Sequence, residues 1–399
     1  MLQRIPVLLA RLFVCAVLTA PAAAADRTVV AWGAGTVVNK SDNNDYGQSI
    51  VPITLTNAVF VAGGWRHSLA VRSDRTVQGW GDDTAGQTGL YPVSNYVSVA
   101  CGRLHSLGLE SNGKVMAAGD SYYGQAAVPV NLSNVVAVAC GWYHSLALKN
   151  DGTVVAWGAG SSVSNNFNDY GQAVVPAGLT NVVAVAGGGW HSLALKADGT
   201  VVGWGRNDSH QAVVPAEVSN VVAIAAGAAF SLVLEAGGRA VAWGEDSFGQ
   251  TNIPPNLTND VVAIAAGGWH ALALKNDGTV VGWGASVGSN TNVDYRQTNA
   301  PVGLANVTEI AAGSLHSLAL TGGAAWLPKA TLFVRGFDTN GFSVGLPTRN
   351  GNVYRLEYEN TLTNQSWTPL PLQAGTGGTN WFTDLNPSSE KRFYRVSRW

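Results

Sequence analysis

Residues 138–158 read VACGWYHSLALKNDGTVVAWG, and a version of this phrase occurs seven times in the chain of 399 residues. Six copies carry a Trp-Gly pair, Ala118-Gly119 is a degenerate seventh, and the tryptophans are Trp32, Trp80, Trp157, Trp204, Trp243 and Trp283. Successive copies lie 48, 38, 39, 47, 39 and 40 residues apart. A period near forty residues with short alternating segments predicts a propeller or another repeat array.

Each copy contains the segments of one antiparallel unit. NVVAVA, HSLALK and TVVAWG predict three strands, and KNDGT predicts a hairpin turn with Gly at the position that needs a positive φ. QAVVP, followed by a polar turn such as GLTN, predicts a fourth strand. The expected unit is therefore a four-stranded meander.

The two ends of the array complement each other. The chain enters at DRTVVAWG, which contains only the third and fourth strands of a unit, and the array ends after HSLALTGG, which contains only the first and second. Pairing residues 26–53 with residues 306–323 would complete one unit and remove the exposed sheet edges of a linear array. We therefore predict an all-β fold, a seven-bladed β-propeller over residues 26–323.

The first 25 residues have the layout of a secretory signal peptide. Arg4 and Arg11 precede or flank an apolar stretch that is too short to span a bilayer, and small residues follow up to Ala25. We expect cleavage there and a secreted or cell-surface protein, extracellular or periplasmic. Cys101 and Cys140 then remain, at a position where other copies have Gly or Ala, which predicts small buried residues; a disulfide between neighbouring repeats is the alternative.

Composition restricts the partners. Charged residues make up 12% of the chain and the formal net charge is −2, with no basic block. Nucleic acid is therefore not an expected partner, and neither is an anionic membrane surface. The sequence contains no Gly-x-Ser-x-Gly, no His-Glu-x-x-His and no Gly-Lys-Ser or Gly-Lys-Thr, so no catalytic residue, metal or cofactor is predicted. We expect a monomer that is not an enzyme.

One His recurs at the centre of the phrase. It is present in six copies and replaced by Phe230 in the remaining one, as His67, His105, His144, His191, His270 and His316. A benzyl ring could not replace an imidazole that carried chemistry in every blade. We predict a structural role, with each ring nitrogen bonded to a neighbouring backbone group.

Aromatic residues beside this His vary between copies, in the loop between the first and second strands: Trp65, Trp142, Tyr143, Trp190 and Trp269. Three long loops that should emerge at the same end finish in Asp-Tyr, at Tyr46, Tyr170 and Tyr295, and Arg66 and Arg103 join them. Rigid aromatics among adaptable amides favour protein or glycan recognition. The alternative is that these rings only cap the channel mouth and pack on neighbouring blades.

The rhythm changes at Ala330. Residues 330–399 alternate apolar and polar positions in short runs, which predicts a small β-sandwich of the fibronectin type III kind after a linker at residues 324–329. Its role as a spacer, an attachment module or a sorting signal stays open.

The repeated Gly-x-x-His-Ser-Leu-Ala-Leu, Asp-Gly-Thr-Val-Val and Trp-Gly with a following Gly-Gln resemble the regulator-of-chromosome-condensation repeat, over nearly all of residues 26–323. The resemblance implies the propeller fold. The short repeats are similar to secreted bacterial propellers of that family, among them a protein inhibitor of β-lactamases that binds through aromatic residues on one face. The final segment, with Phe-Tyr-Arg-Val at 393–396, resembles modules appended to secreted bacterial proteins.

These observations predict a secreted binding module that recognises a protein or a cell-wall ligand on an aromatic face. Two alternatives stay open. A carbohydrate lyase or hydrolase would have its site at the channel mouth, and a hydrolase would show two carboxylates about 5 to 10 Å apart. A structural envelope component would bury the same face against a constant partner.

Overall fold

The computed structural model describes residues 27–36, 45–90, 95–161, 168–285, 295–322, 333–338, 341–359, 367–385 and 393–399. The expected signal peptide, the linker and Asp294 lie outside the described residues. The described chain is all-β, as predicted, and within these ranges no helix has the length and apolar character needed to cross a membrane.

The strands of the repeat region are six or five residues long. They are β1 (Thr28–Gly33), β2 (Ala58–Gly63), β3 (His67–Arg72), β4 (Val77–Gly81), β5 (Tyr96–Cys101), β6 (His105–Glu110), β7 (Val115–Gly119), β8 (Val135–Cys140), β9 (His144–Lys149), β10 (Val154–Gly158), β11 (Val182–Gly187), β12 (His191–Lys196), β13 (Val201–Gly205), β14 (Val221–Ala226), β15 (Phe230–Glu235), β16 (Ala240–Gly244), β17 (Val261–Ala266), β18 (His270–Lys275), β19 (Val280–Gly284), β20 (Val307–Ala312) and β21 (His316–Thr321).

These strands form seven three-stranded antiparallel sheets in the described residues. Six sheets use three consecutive strands, from β2-β3-β4 to β17-β18-β19, and the seventh has the order β1-β21-β20. In that sheet Thr28 pairs with Thr321 and Gly33 with His316, so the two ends of the array meet. The first strand of each sheet contacts the first strand of the next, including β20 with β2, and the sheets form a ring.

The predicted fourth strand is wrong. Residues 172–176, QAVVP, lie in turns rather than in a strand. The amide of Val174 donates to the carbonyl of Gly171 at 2.9 Å, and the amide of Leu179 donates to Pro176 at 3.2 Å. Two successive turns thus use the N–H groups that a fourth strand would have to offer to the ladder.

The middle strand of each sheet is buried on both sides because each blade is covered by two neighbours. Leu146, Ala147 and Leu148 in β9 are all fully buried. The indoles of the Trp-Gly pairs join blades: Trp80 Nε1 donates to the carbonyl of Gln48 at 2.8 Å, and Trp157 Nε1 donates to Gln125 at 2.9 Å. In the six blades that have the Trp, the preceding Gln turn is therefore held against the blade that follows it.

The C-terminal segment forms seven further strands: β22 (Phe333–Asp338), β23 (Gly341–Pro347), β24 (Val353–Glu359), β25 (Thr368–Pro369), β26 (Gln373–Ala374), β27 (Thr379–Asp384) and β28 (Phe393–Arg398). One sheet has the order β22-β23-β27, and in the other β24 pairs with β25, β26 and β28. Leu346 and Phe382 from the first sheet pack with Tyr354 and Leu356 from the second. This is a small β-sandwich, which we call the C-terminal module.

The C-terminal module packs on the ring at the end where the first strands begin. Asn350 Nδ2 donates to the carbonyl of Val136 at 2.9 Å, and the amide of Leu372 donates to the carbonyl of Ala197 at 2.9 Å. Leu372, only 2% exposed, joins the apolar cluster that contains Val221 and Val222. We call this the sealed face, and the opposite end, which carries the Gly-x-x-His loops, the open face.

A buried acid lies near the same seam. Burial raises the pKa of Glu309 to about 7, against the opposing effects of a hydrogen bond from Val61 and of Arg349, Arg398 and Arg27. Arg349 and Arg398 belong to the C-terminal module, whereas Arg27 belongs to the ring.

Candidate binding face

The recurring His residues link neighbouring blades just below the open face. Each Nε2 lies 2.8 to 3.0 Å from a Ser hydroxyl of the next blade, in the pairs His67–Ser106, His105–Ser145, His144–Ser192, His191–Ser231, His270–Ser317 and His316–Ser68. The structural role agrees with the prediction, but the predicted backbone partner is wrong. The partner is a side chain about forty residues further along or, for His316, across the point where the ends meet.

The hydrogen bonds also define the tautomer. The hydroxyl of Ser192 donates to the carbonyl of Gln172 at 2.9 Å, and equivalent Ser-to-Gln bonds occur in four other blades. Because the hydroxyl proton is used there, His Nε2 must be the donor, and Nδ1 is left as an acceptor without a partner among the described residues. Burial lowers the pKa of His144 to about 3 and that of His67 to about 4, so these rings are neutral.

These His–Ser contacts are not nucleophile–base pairs. Both side chains are fully buried in every pair, and in five of them the hydroxyl proton already points to a carbonyl. A substrate could not reach the hydroxyl oxygen. The exchange at Phe230 supports this interpretation: the next blade has Ala271 where the others have Ser, so the benzyl ring leaves no hydroxyl unpaired.

A glycine three residues before each of these rings makes room for it. A Cβ atom on Gly141 would lie 2.0 Å from Cε1 of His144, and one on Gly227 would lie 2.0 Å from Cε1 of Phe230. The Gly-x-x-His spacing is therefore a packing requirement, since any side chain at the Gly position would displace the buried ring.

Backbone hydrogen bonds connect the loops of the open face into a continuous series. Seven bonds of 2.9 to 3.4 Å run from Trp65 N to Gly102 O, Arg103 N to Trp142 O, Trp142 N to Gly188 O, Gly189 N to Gly227 O, Ala228 N to Gly268 O, Gly268 N to Ser314 O and Ser314 N to Gly64 O. The series returns to its starting loop. Loops tied in this way hold their side chains in fixed positions, which lowers the entropy lost when a partner binds.

The predicted aromatic residues gather on this face. Trp142 lies at the centre, with ring centroids 4.5 Å from Trp190 and 5.9 Å from Trp269. Tyr143 lies 6.5 Å from Trp190 and 5.4 Å from Tyr123. All these rings keep part of their surface exposed, so they pack on one another and also remain accessible.

Guanidinium groups extend the cluster. Arg66 Cζ lies 3.6 Å from the centroid of Trp65 and 4.9 Å from that of Tyr46, and Arg103 Cζ lies 4.2 Å from Trp65 and 5.2 Å from Tyr143. Cation–π contacts at such distances contribute about 0.5 to 2 kcal/mol each. Arg66 and Arg103 are therefore part of the same assembly as the rings.

Two other predicted residues, Tyr170 and Tyr295, do not line the pocket described below. Tyr170 is 40% exposed and lies 5.3 Å from Cζ of Arg206. Tyr295 lies in the turn before β20, where its amide donates to Gln297 Oε1 at 2.7 Å.

The open face contains a pocket of about 540 Å³. Its lining includes the predicted Trp65, Arg103, Trp142, Tyr143, Trp190 and Trp269, together with Arg206, Ser209, Ala228, Ala229 and Glu245. Sequence reasoning missed Arg206 and Glu245. Both follow a Trp-Gly pair directly, so the residue after that pair is the signal that could have identified them.

Two further kinds of functional group were considered from the sequence: the cysteines and possible metal ligands. Cys101 and Cys140 are free thiols, so the disulfide alternative is not realised, but they are partly buried rather than buried as predicted. Burial raises the pKa of Cys101 to about 12. Among the described residues, no group of three or more His, Cys, Asp or Glu could hold a metal ion.

Together, a ring of seven short antiparallel sheets with one sealed face and one aromatic mouth defines a repeat-built β-propeller. Six stretches match the model for the regulator of chromosome condensation (RCC1) repeat, at residues 58–87, 96–125, 135–172, 182–211, 221–250 and 261–292. The chain thus contains six RCC1 repeats. No curated protein matches the sequence at a significant level.

Three solved structures have a similar fold. Human WBSCR16 matches with a TM-score of 0.53 and 21% identity, over 75% of this chain and 99% of that one. Prp20p from Saccharomyces cerevisiae matches with a TM-score of 0.58 and 20% identity, over 75% and 92%. Yeast RCC1 (Prp20) bound by Kap60 gives a TM-score of 0.57 and 21% identity, over 75% and 90%. At this identity the likeness shows the fold alone.

Proposed function

We propose that this protein is a secreted, non-enzymatic binding module that docks a protein partner on the open face of its propeller. The observation that carries the proposal is the set of partly exposed rings around the pocket. The indole N–H groups of Trp65, Trp142 and Trp269 donate to no protein acceptor within the described residues, whereas that of Trp190 donates to Asn168 at 2.9 Å. Rigid rings with available donors are typical anchors of protein interfaces.

Two further observations support a protein as the partner. An RCC1-type propeller is a protein-interaction fold: the structural neighbour Prp20p is described by its binding to Gsp1p and histones, and yeast RCC1 is seen bound to Kap60. The C-terminal module covers the other end of the ring, which leaves the aromatic mouth as the accessible end. A cell-wall glycan stays an alternative ligand, because rings of this kind also stack on sugars.

The hydrolase alternative has less support from the pocket. Glu245 is the one carboxylate in the pocket lining described here. It accepts hydrogen bonds from Gln250 Nε2 and from the amide of Ser247. A second acid on the opposite wall, which a glycoside hydrolase requires, is not part of that lining.

The outside of the cell is the proposed location. The basic and apolar N-terminal segment followed by small residues supports it, and N-terminal sequencing of the mature protein tests it. A first residue near Asp26 is the expected result, and retention of residues 1–25 would contradict secretion by this route.

The function is tested with the double variant Trp142→Ala/Trp190→Ala. Culture medium of the producing organism is passed over immobilised wild-type and variant protein, retained proteins are identified by mass spectrometry, and the Kd of each purified candidate is measured. We expect the variant to bind more than a hundredfold more weakly, since buried Trp anchors contribute about 2 to 4 kcal/mol each. Its melting temperature should change little.

The matched control is Ile53→Ala/Val130→Ala, which removes two apolar side chains that are 98% and 89% exposed on outer turns. Equal binding by wild type and the Trp variant would contradict the proposal. A large fall in the melting temperature of the Trp variant would show that these rings are core residues. Turnover of a polysaccharide by the wild type would favour the enzyme alternative.

A further inference from the structure

The charged side chains that line the open-face pocket differ in whether they have a partner within the protein. Arg206 forms an ion pair with Asp208 at 2.7 Å, and Glu245 accepts two hydrogen bonds from its own loop. Arg103 differs from both. Among the described residues, no carboxylate oxygen lies within 4.0 Å of its guanidinium.

The surroundings of Arg103 disfavour its positive charge, so an anion bound next to it would be stabilising. The side chain is half-buried, and burial together with the neighbouring Arg66 lowers its pKa. Both guanidiniums lie over the indole of Trp65, with Cζ at 3.6 Å for Arg66 and 4.2 Å for Arg103. Tyr123 and Asp120 act in the opposite direction, through electrostatic interactions alone.

The position of Arg103 also limits how an anion can approach. Its Cζ lies 4.2 Å from the ring centroid of Trp65 and 5.2 Å from that of Tyr143, and its backbone amide donates to the carbonyl of Trp142 in the series of backbone bonds. A guanidinium that packs on aromatic rings through its faces can still form hydrogen bonds through its N–H edge. A planar carboxylate matches that edge with two parallel hydrogen bonds.

The rest of the pocket lining indicates whether a free anion or an acidic side chain of a protein fits better. Five of the other ten lining residues are aromatic, and the small side chains of Ala228 and Ala229 leave space between them. A free carboxylate or phosphate would gain nothing from these surfaces. An acidic side chain next to an apolar one on a protein loop would use both.

From this geometry we infer that the partner of the open face presents an Asp or Glu carboxylate edge-on to Arg103, next to an apolar side chain that enters the pocket beside Trp142. The inference rests on the proposed function and names the chemistry of the partner. Arg103 then acts as the residue that determines specificity, while the Trp residues supply most of the affinity.

The probe is a set of peptides selected from a displayed library of random sequences on the full-length wild type, after removal of those retained by Trp142→Ala/Trp190→Ala. A synthetic peptide of the consensus and its Glu→Gln or Asp→Asn analogue are titrated against wild type, Arg103→Gln and Arg103→Lys. Arg75→Gln, at an exposed turn, is the control.

We expect acidic residues to be enriched next to an apolar one. Arg103→Gln should weaken binding about 10- to 100-fold, because a hydrogen bond to a charged group is lost. The neutral analogue should bind wild type that much more weakly and lose nothing further on Arg103→Gln. Arg103→Lys should restore only part of the affinity, since an ammonium cannot form the bidentate pair.

Peptides without acidic enrichment, or peptides that bind Arg103→Gln as tightly as wild type, would overturn the inference while leaving the proposed function intact. Peptides raised without the removal step that bind wild type and the Trp double variant equally well would instead count against the proposed function. The two failures are therefore distinguishable.

Discussion

The two ends of the propeller are built from the same strands and yet differ in what covers them. Strand β8 begins at Val135 and Val136, which are 2% and 4% exposed beneath the C-terminal module, and ends at Cys140 beside the partly exposed Trp142. At the sealed face the apolar strand ends are covered by the chain itself. At the open face aromatic side chains stay partly exposed. The difference indicates that the open face is the one left for another molecule.

Within the open face, the residues proposed to bind a partner precede the buried structural His by only one or two positions in the sequence. The His–Ser layer is fully buried and occurs in six blades, whereas the residues just before each His change from blade to blade. The repeated layer fixes the positions of the loops. The variable positions above it are then free to change their side chains without altering the ring.

The largest expected effect on stability comes from lowering the pH, because acid protonates the buried His residues of the His–Ser layer beneath the open face. Burial lowers the pKa of His105, His144, His270 and His316 to about 3 and that of His67 and His191 to about 4. Below about pH 6.5 the unfolded chain therefore binds more protons than the folded one. The contribution of the His rings to stability is complete above about pH 6.5 and should fall steadily toward pH 3, by up to about 1.4 kcal/mol per pH unit for each His.

Glu309 acts in the opposite direction but is a single group. Its pKa of about 7 means that lowering the pH toward 4.5 favours the folded state. Denaturant unfolding at pH 7, 5.5 and 4.5 measures the sum. Stability that is independent of pH over this range would show that the His rings are not buried and neutral.

Next in size is the loss of one His–Ser contact. His144→Ala should lower the free energy of unfolding by about 3 to 5 kcal/mol, because it leaves a cavity and removes the partner of Ser192. His144→Phe/Ser192→Ala copies the natural pair Phe230 and Ala271 and should stay within about 1.5 kcal/mol of wild type. Thermal and denaturant unfolding of both variants check this. If the double variant is as unstable as His144→Ala, the Phe-for-His exchange is not explained by its Ser partner.

Breaking the sealed face should have a smaller effect on the ring. Leu372→Ala removes a buried contact between the C-terminal module and the ring, and should cost about 2 to 4 kcal/mol. Leu385→Ala, in the same module but 72% exposed, is the control and should change stability by less than about 0.5 kcal/mol. Partner binding should be unchanged in both. A loss of binding in Leu372→Ala with the module still folded would indicate that the ligand binds at the sealed face, which contradicts the proposal.

The smallest effect is expected for the cysteines. Cys101→Ala/Cys140→Ala should change the free energy of unfolding by less than about 1 kcal/mol, because other blades have Gly or Ala at this position. Both thiols are partly exposed, but burial raises both pKa values, so a thiol reagent at pH 8 should label them much more slowly in the folded than in the unfolded protein. Labelling at the same rate in both states would contradict the raised pKa values.

Much of this architecture was predictable because it follows from periodicity. The half-units at the two ends of the array predicted the pairing now seen between Thr28 and Thr321, and the Gly-x-x-His spacing placed Trp65 and Trp142 in loops of one face. The prediction of a strand at QAVVP was wrong because its alternating residues match a strand pattern. In the structure, the amide of Val174 instead donates to the carbonyl of Gly171 in a turn. Local patterns carry no information on which backbone donors a turn has already used.

The candidate site was only partly predictable for a related reason. The partner of each His lies in another blade, and no local pattern marks a contact about forty residues away. The joint change at Phe230 and Ala271 was the available signal. Arg206 and Glu245 were not predicted because they are not neighbours of a His in the sequence, although the third strand of each blade ends at the same mouth.

Hydroxyl-radical footprinting of the full-length protein, with and without its captured partner, tests the central claim most directly, because Trp and Tyr side chains are both the reporters and the proposed anchors. We predict oxidation of Trp65, Trp142, Trp190 and Trp269 in the free protein, strong protection of these four by the partner, and little oxidation of core residues such as Trp204 and Trp243 in either state. Protection confined to the C-terminal module, with the four rings still oxidised in the complex, would contradict the account.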